Sequence, residues 1–139
     1  MPLTVESLSR FGHLHGRLTL PGGAVSVCGG LAIRMSDGTD WLNLYLPMGA
    51  LTRTDPRIGG FPFGDDGGPS SLSWRAPLDG WLADVGAQVY REVDFRRAII
   101  GFETDDAEIA AADGAVPERR SFGYLSPCDG ELRYHLANV

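Results

Sequence analysis

His13 and His15 are residues whose type and spacing could do chemistry. Alternate residues of a β-strand project to one side, so a strand through HLHGRLTL would carry both imidazoles together, able to share a metal ion or move a proton. A metal site needs a third donor, and Gly16-Arg17-Leu18-Thr19-Leu20 supplies no acidic residue nearby. His135 or a distant aspartate would have to complete it, so no resident metal or other cofactor is expected. The stretch from Gly59 to Gly68 has the glycine content of a phosphate cradle, but it lacks the Lys-Ser/Thr pair and presents Asp65 and Asp66 instead. Two carboxylates repel phosphate and suit a cation or a guanidinium. His13, His15, Asp65, Asp66 and His135 are therefore the candidate acid, base or ligand residues. Glu103, Asp105, Asp106 and Glu108 form an acidic cluster that helix capping explains without a ligand. Cys128 and His135 flank one expected hairpin, where a thiol and an imidazole could meet, although no oxyanion hole or third group accompanies them. GxSxG, SxxK, HExxH and dinucleotide fingerprints do not occur, so the chain leans away from the enzymes.

The elements that must position these residues begin with a helix over about 78–92, where Leu78, Leu82, Val85, Val89 and Val93 recur at helical spacing. Asp79 suits its N-cap, and Gly86 suits a close approach by another backbone. Residues 4–11 are weakly patterned, a first strand or an arm. Leu18 and Leu20, the Pro21-Gly22-Gly23 turn, and Val25 and Val27 read as a hairpin. Gly29-Gly30 allows another reversal before Leu31, Ile33 and Met35, and Ser36-Asp37-Gly38-Thr39 makes the next turn. The following strand places Leu42, Leu44 and Leu46 on one face and Trp41, Asn43 and Tyr45 on the other, with Pro47 at its end. This predicts an N-terminal meander whose apolar face is the bed for the helix, through Leu42, Leu44 and Leu46. Residues 52–70 read as a long irregular loop, and Ser71 to Arg75 as a short strand. FRRAIIGFET suits an interior strand, DDAEIAAADG a short helix, and Pro127-Cys128-Asp129-Gly130 the turn of a last hairpin. The expected fold is α+β: a single domain, residues 1–139, in which a curved antiparallel sheet of about six to eight strands carries the main helix on one face.

A chain of 139 residues with 43% hydrophobic and 22% charged residues is ordinary for a folded soluble protein. Its net charge of -6 repels a phosphate backbone, which disfavours nucleic acid as a partner and favours steering toward a basic protein. No segment has the length of a membrane span or the pattern of a secretion signal, so a cytoplasmic location is expected. Cys28 and Cys128 lack metal-type spacing and read as structural thiols. The face of the meander away from the helix is expected to hold Arg17, Arg34, Trp41, Asn43 and Tyr45, the composition of an interface core. The leading expectation is thus a non-enzymatic, acidic, cytosolic module that binds a protein partner, in the manner of an immunity or antitoxin protein, or a second copy of itself. The alternative is a small enzyme or small-molecule binder with a pocket between the sheet and the 52–70 loop.

Overall fold

The computed structural model describes residues 6 and 10 and residues 12–60, 68–102, 104 and 115–139. Most of the expected arm over 4–11, the Asp65-Asp66 pair, the acidic cluster at Glu103, Asp105, Asp106 and Glu108, and the short helix beginning at Asp105 lie outside the described residues. The chain divides into two compact units on either side of residue 61. It is α+β, with two antiparallel three-stranded sheets, one in each unit, and one main helix.

The first unit is the meander, built as three strands: β1 (His13–Thr19), β2 (Val25–Arg34) and β3 (Asp40–Tyr45), in the order β1-β2-β3. Its first turn closes where expected, with the Leu20 amide donating to Ala24 O at 2.8 Å and Gly23 at a positive φ of 89°. The second closes between Met35 and Thr39, where Gly38 has a φ of 86° and the Thr39 amide donates to the Asp37 carboxylate. The reversal expected at Gly29-Gly30 does not occur, because both glycines lie inside β2 and pair with β1 and β3. After Pro47, α1 (Met48–Thr54) and a 3₁₀ turn (Pro56–Gly60) replace the start of the expected loop. Helix α1 lies against β2, and Leu51 and Ile58 are buried.

In the second unit, α2 (Gly68–Glu92) faces a sheet of β4 (Ala98–Ile100), β5 (Gly123–Cys128) and β6 (Glu131–His135) in the order β4-β5-β6. The one expected curved sheet is therefore two. The segment expected to be interior is β4, at an edge, and β5 is central. The last hairpin forms as expected: Asp129 and Gly130 both take positive φ, the pair that a two-residue turn of matching twist requires. The helix begins ten residues earlier than its apolar period indicates, absorbs the expected strand at Ser71–Arg75, and runs through Pro77. Its most buried stripe is Ser71, Arg75, Asp79 and Ala83, each four residues from the last, so the inward side is polar over its first half. Ala83 packs with Ile100 and Leu125, and Leu82, Phe95, Ala98, Leu132 and Tyr134 surround them. Gly86 is a close-approach site, although the group that meets it is the side chain of Leu125 and not a backbone.

The expected bed for the helix is also corrected. The helix packs on β4, β5 and β6, while Leu42 and Leu44 remain 65% and 43% exposed. Asp79 is not an N-cap but a buried mid-helix residue, and Val93 lies past the helix end, 60% exposed. The tail is tied down by Arg120, whose Nε donates to Leu136 O at 2.9 Å and whose Nη1 donates to Pro117 O at 2.7 Å, while its backbone exchanges hydrogen bonds with Asn138.

Candidate functional site

Paired residues in an antiparallel ladder point to the same side, so the register of the first sheet defines its faces. His15 pairs with Gly29 and Gly29 with Tyr45; His13 pairs with Leu31 and Leu31 with Asn43. Arg17 pairs with Val27, and Ile33 with Trp41. One face thus carries His13, His15, Arg17, Trp41, Asn43 and Tyr45, together with Val25, Val27, Leu31 and Ile33. The expected set is four-fifths present. Arg34 belongs to the opposite face, where its guanidinium donates to Asp40 at 2.7 and 2.9 Å and holds that carboxyl below its usual range. The valines and Ile33, expected on the helix side, share the aromatic face. The alternation within each strand holds, but a continuous β2 changes the phase between strands, and a shift of one residue moves every side chain to the other face.

Gly29 is what gathers the cluster. With no side chain there, the Tyr45 ring lies across β2, where a Cβ on residue 29 would overlap it. The Tyr45 hydroxyl then shares a hydrogen bond of 2.6 Å with His13 Nε2. The His13 and His15 rings sit 4.3 Å apart at a tilt of 58°. Beside them is a shallow, open depression of about 430 Å³, lined by His15, Arg17, Val27, Tyr45 and Pro47 among others. Arg17 makes no hydrogen bond or ion pair among the described residues, and no strand residue on this face is acidic. The arrangement joins a phenol hydroxyl and an imidazole nitrogen in one hydrogen bond, and it presents N–H donors, among them the Arg17 guanidinium, to an incoming group. Comparison with protein-family models, curated proteins and solved structures finds no match to this chain.

Among the described residues, no third histidine, cysteine, aspartate or glutamate joins His13 and His15 in a group able to hold a metal ion. His135 is in the second unit, on β6, where its Nε2 and the Ser126 hydroxyl are 3.1 Å apart. Cys128 pairs with Glu131 at one end of that hairpin and His135 with Tyr124 at the other, so the ladder does not bring thiol and imidazole together. Cys28 is buried, and burial raises its thiol pKa, while a hydrogen bond from the Gly16 backbone opposes the rise. Neither cysteine is in a disulfide.

A polar group that sequence reasoning missed lies in the second unit. Arg75 and Asp79 are 7% and 5% exposed, and Arg75 Nε approaches Asp79 Oδ2 at 3.6 Å without a hydrogen-bond partner of its own. Arg75 Nη2 donates a long bond of 3.4 Å to Ser121 O. Burial pushes the Asp79 carboxyl up to about 6, outweighing the attraction of Arg75. Tyr134 is raised as well, first by burial and then by the charge of Asp79. The signal was present as an Arg and an Asp four residues apart, a spacing that in most helices marks a solvated pair. No helix among the described residues is long and apolar enough to cross a membrane.

Proposed function

We propose that this chain is a non-enzymatic, acidic, cytosolic interaction module, of the immunity or antitoxin kind, that docks a protein partner on the aromatic face of its first sheet. The observation carrying this reading is the exposure of Val25, Val27 and Ile33, at 61%, 49% and 50%, beside Arg17, Trp41 and Tyr45 on one face. Apolar side chains clustered with aromatic and Arg residues are the composition of an interface core, and leaving them in water costs free energy that a partner would recover. The net charge of -6 steers the approach of a partner with opposite overall charge. The test is quantitative capture from the native host with the wild-type chain and with Val27→Glu/Ile33→Glu. One protein should be recovered in stoichiometric amount by the wild type and by Arg34→Ala, which changes the opposite face, and lost at least about tenfold by the double variant. Recovery of nothing above background, or equal recovery by a folded double variant, ends this reading.

A second reading has its own observation in its favour. The His13 and Tyr45 hydrogen bond beside an open depression supports the reading of a small enzyme or small-molecule binder, with His13 and His15 as the acid, base or ligand groups.

A further inference from the structure

We propose that the depression beside His15 and Arg17 binds a small organic anion, a carboxylate or phosphate monoester attached to an apolar group. This rests on the second reading above and names the ligand class for its site. His13, His15 and Arg17 occupy alternate positions of β1, roughly 7 Å apart along the backbone, and so form a row of nitrogen donors along one face. A guanidinium offers a planar fork of N–H donors that matches two oxygens of one carboxylate or phosphate, and Arg17 has its fork uncommitted among the described residues. His15, on the same wall, adds a donor from the side. Among the strand residues of this face no carboxylate competes for either group. Besides Gly16 and Cys28, the remaining lining is apolar: Val27, which pairs with Arg17 in the ladder, Pro47, and the Tyr45 ring, whose hydroxyl is hydrogen-bonded to His13. Such walls select a ligand with an apolar body behind its charged head. The net charge of -6 repels an anion at long range, so recognition depends on these short contacts and the affinity is expected to be modest.

The test is an NMR titration of the full chain with benzoate, phenyl phosphate, benzyl alcohol and benzylamine as probes. Benzoate, phenyl phosphate or both should give saturable shifts at His15, Arg17 and Tyr45, and the tighter of the two identifies the preferred headgroup. The alcohol and the amine should give none. Arg17→Gln should weaken binding about fivefold, a value appropriate to an exposed charge pair, and His15→Gln should weaken it too. Arg34→Gln, on the opposite face, should leave it unchanged. Equal binding of the alcohol or the amine, or unaltered benzoate and phenyl phosphate binding by both Arg17→Gln and His15→Gln, overturns the choice of an anion while leaving the small-molecule site standing. Absence of saturable shifts with every probe overturns both.

Discussion

A methyl group at Gly29 has nowhere to go except into the Tyr45 ring, so Gly29→Ala should push the ring aside and break its hydrogen bond to His13. Overpacking of this kind costs about 1–3 kcal/mol, less if the ring swings into water, and the lost contact should appear as a changed Tyr45 environment in NMR. A Gly29→Ala protein with unaltered Tyr45 and His13 resonances would contradict the packing described. Asp79 supports a prediction about pH. Its carboxyl titrates at 3.8 when unfolded and at about 6 when buried in the native helix. Between those values the native state keeps a proton that the unfolded state has released. The stability this group contributes is therefore complete below the unfolded value and is lost as pH rises through the folded one, a change of about 3 kcal/mol. Asp79→Asn cannot titrate. The stability of the wild type relative to this variant should fall by about 3 kcal/mol between about pH 4 and about pH 7, as read by chemical denaturation. A flat difference across that window would mean that Asp79 ionises freely beside Arg75.

The helix and its sheet meet at Gly86, where two effects oppose each other. Alanine is the better helix former by about 1 kcal/mol, but its Cβ would collide with Leu125 Cδ1, and Leu125 is 2% exposed at the centre of the core. Overpacking costs about 1–3 kcal/mol, so Gly86→Ala should destabilise the protein, by about 1 kcal/mol on balance in thermal denaturation. A stabilised variant would mean that Leu125 has another rotamer open to it. These elements differ in how far the sequence announces them. Turns were legible wherever glycine chemistry is local, at Gly23, Gly38 and the Asp129-Gly130 pair. Strand alternation was legible too, and it placed His13 and His15 on one side. The phase between strands was not, because Gly29-Gly30 has the composition of a turn but lies inside β2, with Gly29 as the floor beneath Tyr45. Which residues share a face, and hence the contact of His13 with Tyr45 and the separation of Arg34 from both, depends on that one reversal. The helix start was hidden for a different reason. Its buried stripe through Ser71, Arg75 and Asp79 is polar, so no apolar period marks it.

At the scale of the molecule, the first sheet is unusual in exposing large apolar residues on both faces: Val25, Val27 and Ile33 on one, Leu42 and Leu44 on the other. Single exposed apolar side chains are common, but clusters on a three-stranded sheet, two of whose strands are edges among the described residues, invite contact between copies. The charge of -6 works against this, since each copy repels the next at low ionic strength. Two forces with different salt dependence make a direct test possible. Repulsion is screened by salt and apolar attraction is not, so self-association should strengthen as salt is added, as read by sedimentation velocity. Leu42→Thr/Leu44→Thr removes apolar surface without changing charge and keeps residues suited to a strand. Because both leucines are substantially exposed, the double variant should keep its thermal stability within about 1 kcal/mol while showing weaker self-association at every salt concentration. If the variant unfolds, the leucines are buried in solution and the open face is not real. If it remains folded and associates as the wild type does, contact between copies uses the face of Val27 and Ile33, and the Val27→Glu/Ile33→Glu protein should then be the one that remains a monomer.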